Sequence, residues 1–158
     1  MKKRNKIKVY ADTSVFGGVF DEKFAEASSL FFKQVKQGRF QLIISDVVRR
    51  EMEDAPRQVR DLFEEMTAIS KIADLNAPAL KLRQAYLDAK ILSPRWANDA
   101  LHVAIATISF CQVIVSWNFQ HIVHFDKIPL YNAVNTLQGY GDIKIFSPLE
   151  VLDYEENY

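Results

Sequence analysis

The chain has 158 residues, 49% hydrophobic and 25% charged, with 20 basic residues against 20 acidic ones. That composition fits one globular domain with a core of its own and excludes a disordered or collagen-like chain. Zero formal net charge gives no global field for a polyanion, so any nucleic-acid contact has to come from a local patch.

The single cysteine, Cys111, lies in an apolar run and supports neither a disulfide frame nor a thiolate metal centre, so a cytoplasmic protein is expected. The basic start, residues 1–6, is followed by a short strand rather than the apolar segment of a secretory signal. The longest apolar stretch, residues 100–117, carries His102, Thr107, Ser109 and Gln112 and reads as helix then strand, not as a membrane span.

Residues 7–11, 41–45, 113–116 and 143–146 are short, β-branched-rich runs, and 69–75 holds a further short strand. Between them, Phe24, Ala27, Leu30, Phe31 and Val35 step by three or four, as do Val59, Leu62, Phe63 and Met66. Residues 77–89 repeat this less regularly. Apolar strands of four to six residues alternating with helices predict an α/β fold with a central parallel sheet covered on both faces. No repeat or linker divides the chain. A single domain over 1–150 with a polar tail, 151–158, is expected, and Asp54-Ala55-Pro56 and Asn76-Ala77-Pro78 mark helix boundaries within it.

Three carboxylates occupy positions that pattern as apolar. Asp12 ends the first strand, where doubly wound sheets build ligand sites; an Asp there also serves as a helix N-cap. Glu51 falls on the stripe Val47, Val48, Glu51, Met52 of a helix capped by Ser45. Asp99 interrupts an Ala-, Val-, Leu- and Ile-rich helix opened by Ser93-Pro94, six residues past Ser93 as Glu51 is six past Ser45, and so at the same depth. Asp99 and His102, three apart, share a helix face and can form a structural pair. Asn118 follows the strand at 113–116 and serves equally as a turn residue or as a polar member of a site. Buried like charges repel and are costly to desolvate; a hard divalent cation with oxygen ligands, Mg²⁺ or Mn²⁺, relieves both. That pattern points to metal-assisted phosphodiester chemistry.

Taken together, Tyr10-Ala11-Asp12-Thr13-Ser14-Val15-Phe16, Ile44-Ser45-Asp46-Val47-Val48-Arg49-Arg50-Glu51-Met52, Asn98-Asp99-Ala100-Leu101-His102-Val103-Ala104-Ile105-Ala106 and Ile114-Val115-Ser116-Trp117-Asn118-Phe119 resemble the PIN-domain family. The nearest resemblance is to its VapC-like ribonuclease toxins of toxin–antitoxin pairs, over roughly residues 7–150. The resemblance implies a three-layer α/β/α sandwich, an acidic pocket for Mg²⁺ or Mn²⁺, and hydrolysis of RNA. It implies Asp12, Glu51 and Asp99 as metal ligands, with Asn118 beside them among the catalytic residues; Asn118 leaves three carboxylates where four are common. His102 is expected behind the ligands, and Arg95 and, more weakly, Ser116 on the substrate side. A homodimer and an inhibitory antitoxin partner are implied too. The Phe31-Phe32 pair hints at a partner-facing side, though core packing suffices.

Asp12-Thr13-Ser14 superficially matches an aspartic-protease triplet, but that chemistry needs two such loops on a β-rich scaffold. A haloacid-dehalogenase-like phosphatase needs an Asp where Ser14 stands. A DNA-directed 5′-nuclease and a non-catalytic nucleic-acid- or protein-binding module of the same fold stay open.

Overall fold

The structure, a computed structural model, describes residues 5–154. Strand β1 (Ile7–Ala11) is central because its inner residues, Val9, Tyr10 and Ala11, leave no surface for water. It pairs in parallel with β2 (Phe40–Ser45) on one side and β4 (Val113–Val115) on the other. Strand β3 (Lys71–Ala73) extends the sheet beyond β2, and β5 (Lys144–Phe146) beyond β4. The order β3-β2-β1-β4-β5 is that of an all-parallel, doubly wound sheet, as expected from the buried apolar strands.

Helices α1 (Thr13–Gly18), α2 (Ala25–Lys36), α3 (Asp46–Glu51) and α4 (Arg57–Thr67) fill the crossovers from β1 to β3. Helices α5 (Ala77–Asp88) and α6 (Ala97–Ile108) carry the chain back across to β4. Helix α7 (Ile128–Leu137) links β4 to β5, and α8 (Pro148–Val151) follows. Right-handed crossovers running in opposite directions from β1 put these two helix groups on opposite faces, giving the α/β/α sandwich. Packing agrees: α1 touches α2 and α4, while α5 packs on α6 and α7.

Several local expectations hold. Ser45 caps α3, its hydroxyl accepting from Val48 N at 3.3 Å, and Asn76 caps α5 through Ala79 N at 3.0 Å. Phe31 and Phe32, however, are core residues rather than a partner-facing pair: both are buried, packed ring to ring with Phe40 and Phe16. Ser93-Pro94 opens a 3₁₀ turn, Pro94–Trp96, and α6 starts only at Ala97. The matched depth expected for Glu51 and Asp99 is therefore absent: Asp99 lies in the first turn of α6, whereas Glu51 is the last residue of α3. Of the expected tail, residues 155–158 lie outside the described residues. Val151 closes α8, Leu152 is buried, and the Asp153 backbone bonds the Gln34 side chain at 2.9 and 3.1 Å. Residues 1–4 also lie outside the described residues. Among the described residues no helix is long and apolar enough to cross a membrane.

One glycine is dictated by packing. A Cβ on Gly18, at the end of α1, would stand 2.5 Å from Ser28 Oγ and 2.7 Å from Trp117 Nε1, the two atoms of a 2.8 Å hydrogen bond that ties α2 to the chain after β4. Gly18→Ala is expected to cost about 1–3 kcal/mol in urea unfolding, as overpacking against rigid neighbours does. An unchanged midpoint would show that α1 can move away.

Candidate active site

The chain leaves β1 in one direction to build β2 and β3, then returns to build β4 and β5 on β1's other side. The crevice between the carboxyl ends of β1 and β4 is thus the topological switch point, where doubly wound folds bind ligands. Ala11 pairs with Val115, so the next residues, Asp12 and Ser116, face each other across that crevice.

Asp12 sits at the N-cap position of α1 but makes no capping hydrogen bond with its side chain. Its carboxylate turns inside, 4% exposed, where Ser14 Oγ donates to Oδ1 at 2.6 Å and Ser116 Oγ to Oδ2 at 2.5 Å. Each hydroxyl is itself polarised by a backbone N–H: Trp117 N donates to Ser14 Oγ at 2.8 Å and Asn118 N to Ser116 Oγ at 2.9 Å. Burial pushes the Asp12 carboxyl above its ordinary value. The charge of His102 and the two hydroxyls oppose that rise, and the charge of Glu51 adds to it.

Glu51 does not face the packed interior as its stripe position predicts. Its side chain is 35% exposed, because α3 ends there, but one oxygen reaches inward to His102 Nε2 at 2.6 Å. His102, buried in α6, meets Tyr10 OH with its other nitrogen at 2.7 Å, and that hydroxyl lies 2.8 Å from Ser45 Oγ. Burial alone would lower the His102 pKa; the hydrogen bond and charge of Glu51, with the charges of Asp12 and Asp99, outweigh it, and the net displacement is upward. With both ring nitrogens protonated, Nε2–H donates to Glu51 and Nδ1–H to Tyr10, while either hydroxyl of the Tyr10–Ser45 pair can donate to the other. Tyr10 stays a neutral phenol: its pKa is raised by burial and by the charges of Asp12 and Glu51, against the Ser45 hydrogen bond.

Asp99, 25% exposed, does not pair with His102. Its Oδ2 is 2.7 Å from Nδ1 of His121, a buried residue that no motif in the sequence marks. Asn118 is engaged in a turn: its side-chain oxygen accepts from His121 N at 3.0 Å, and its carbonyl accepts from Ile122 N and Val123 N. Arg95 lies in the 3₁₀ turn, so the helical spacing that aligned it with Asp99 does not apply. Its exposed guanidinium stacks 4.9 Å from the Trp96 ring centre. Ser116 is fully buried behind Asp12. Trp117 belongs to the core, stacked on Phe24 at 4.3 Å, while Trp96 lies on the His121 ring at 4.4 Å. Arg49 is spent on Glu64 and Phe63.

The structure thus gathers Asp12, Glu51 and Asp99 within electrostatic reach of one imidazole. The donor set is all oxygen, as a hard divalent cation requires. Glu51 Oε1 and Asp99 Oδ2 are the oxygens bonded to histidine, and among the described residues neither carboxylate's second oxygen takes a protein hydrogen bond. Among the described residues, though, no three His, Cys, Asp or Glu side chains are grouped closely enough to hold an ion as they stand. The chemistry of the donor set, three carboxylates, is what such an ion takes.

No protein-family profile and no curated protein matches the chain. Solved structures do share its fold. VapBC2 from Rickettsia felis, solved bound to a DNA fragment from their promoter, superposes with a TM-score of 0.56 at 16% identity, over 78% of this chain and 94% of that one. FitAcB from Neisseria gonorrhoeae gives 0.55 at 10% identity, over 90% and 99%. The fold is therefore the expected PIN-like α/β/α sandwich with a central parallel sheet.

Two outcomes follow from the electrostatics. An ionised Asp12 costs folding free energy, since its folded pKa lies above its unfolded one, so Asp12→Asn should raise the melting temperature in EDTA at pH 7.5. A lower melting temperature would mean that the serine hydrogen bonds outweigh burial. His102 has a folded pKa above 6.5, so the stability it contributes is complete below that value and is lost as pH rises through the higher one. In EDTA, denaturant midpoints should therefore fall as pH rises above about 6.5, and His102→Gln should flatten the decline.

Proposed function

We propose that the chain is a metal-dependent endoribonuclease that hydrolyses RNA phosphodiester bonds, acting in the cytoplasm as the toxin of a type II toxin–antitoxin pair with a cognate antitoxin. A homodimer belongs to the same reading. The observation that carries it is that the charges of Asp12, Glu51 and Asp99, from three separate elements, all bear on His102 beside the sheet's switch point. A purely structural His–carboxylate pair would need only one of them.

Asp12, Glu51 and Asp99 would hold Mg²⁺ or Mn²⁺, which when bound supplies a water of lowered pKa and offsets charge on the phosphoryl oxygens. Ser14 and Ser116 fix both oxygens of Asp12, so its orientation is set before any ligand arrives. His102 restrains Glu51 through one oxygen and leaves the other for the ion. Solved VapBC2 and FitAcB sharing the fold favour a toxin–antitoxin setting, as does the order of the four matching motifs.

A specific observation favours a second reading. Both rim carboxylates are already paired with histidines, and no three ligands stand together among the described residues. A non-catalytic binding module would keep such pairs. The two readings separate in one assay: wild type, Asp12→Asn and Glu51→Gln on mixed RNA with Mg²⁺ or Mn²⁺. The wild type is expected to cut and each variant to lose about a hundredfold or more. Equal rates in all three, or no cutting at protein levels free of contaminating nuclease, would reject the enzyme. Cut flap DNA beside intact RNA would make it a 5′-nuclease instead.

A further inference from the structure

We infer that His121 is the positioning residue of Asp99, and that Asn118 acts in the site through His121 rather than as a ligand of its own; the inference rests on the metal-dependent reading above.

His121 is held through both its ring and its backbone. Its Nδ1 lies 2.7 Å from Asp99 Oδ2, its backbone N–H is bound by the Asn118 side-chain oxygen at 3.0 Å, and its carbonyl accepts the Tyr131 hydroxyl at 2.8 Å. Its ring is buried against Trp96, with ring centres 4.4 Å apart. A residue held at two points on its ring and two on its backbone has little freedom, and it passes that constraint to the carboxylate it bonds. Asp99 needs it. The residue sits in the first turn of α6, a quarter exposed, with no other side-chain partner for its carboxylate among the described residues. Asp12 is fixed by two serines and Glu51 by His102, so His121 completes a set in which each carboxylate has its own restraint. Asn118 is placed to set the loop that carries His121: one oxygen of its side chain and its own carbonyl bind residues 121–123. Its side-chain oxygen is thereby committed. A polar residue after β4 is thus explained without a fourth metal ligand.

Restraints of this kind typically change metal affinity by about 10- to 100-fold when removed. The test is Mn²⁺ binding to the full chain by titration calorimetry, beside melting temperatures in EDTA, for wild type and four variants. His121→Phe keeps an aromatic ring against Trp96 and removes the Nδ1 donor; it should weaken Mn²⁺ binding about tenfold or more. His121→Asn places an amide N–H near the lost Nδ1 and should recover most of that loss, which a merely structural role would not produce. Asn118→Ala should weaken binding too, and His121→Phe with Asn118→Ala should be no weaker than His121→Phe alone. Wild-type affinity in His121→Phe overturns the inference and leaves the proposed function standing. So does a double variant whose losses add, or a His121→Asn no better than His121→Phe at equal melting temperature. A wild type that takes up no Mn²⁺ overturns the inference and the metal-dependent reading together.

Discussion

The constraint on which the rest of the structure depends is one carboxylate driven into the sheet's central crevice. Asp12 is there because β1 is central, and a central parallel strand must be apolar up to its last residue. The carboxylate immediately after it lies where Ala11 pairs with Val115, enclosed and held by Ser14 and Ser116. The fold answers with two hydroxyls, each braced by a backbone N–H, so that solvent is replaced by fixed dipoles. A second carboxylate at equal depth would be hard to accept. Two like charges about 6 Å apart repel by ~3 kcal/mol at an effective dielectric of about 20, well above the gain from an exposed ion pair. That favours a staggered arrangement: Asp12 inside, with Asp99 and Glu51 at the rim where water and histidine share their charge.

Histidine is the natural partner at such a rim, since its two nitrogens can bridge a carboxylate on one side and a neutral group on the other. His102 does this between Glu51 and Tyr10. The chain Glu51–His102–Tyr10–Ser45 joins α3, α6, β1 and the end of β2 in one line of hydrogen bonds. Ser45 closes it, because the same hydroxyl that meets Tyr10 also caps α3 and so fixes the start of the helix that ends in Glu51. Local capping and the electrostatics of the crevice are thus one piece of structure.

Much of this is legible along the chain, and the failures have a common cause. The strands are readable because a parallel sheet buried on both faces demands unbroken apolar runs, and Asp12, Glu51 and Asp99 stand out against such runs. Partner choice is not readable. Spacing of three places Asp99 beside His102 on a helix face, yet His102 reaches back to Tyr10 and Glu51 while Asp99 is taken by a residue 22 positions downstream. The 3₁₀ turn at Pro94–Trp96 is a second case: Pro at the first helical position marks a start but does not say whether the first turn is α or 3₁₀, and the phase of Arg95 depends on that. His121 is silent because nothing in a turn-rich segment distinguishes a buried histidine from an exposed one. Its one signal is the neighbouring Asn118, whose short side chain can cap a turn two or three residues on.

Three consecutive residues after β4 show how closely the site and the core are joined. Ser116 donates to Asp12, Trp117 stacks on Phe24 and bonds Ser28, and Asn118 shapes the loop that delivers His121 to Asp99. The middle one is the anchor. Its indole fills space that exists only because Gly18 has no side chain, and its backbone N–H polarises Ser14. A displacement of Trp117 would therefore reach Asp12 through Ser14 and Ser116 and Asp99 through Asn118 and His121. Glu51 is held by a separate line, through His102, and would keep its restraint. Two of the three carboxylates thus answer to core packing at one tryptophan, and the geometry of the crevice is set as much by that close contact with α1 and α2 as by the charged groups that line it.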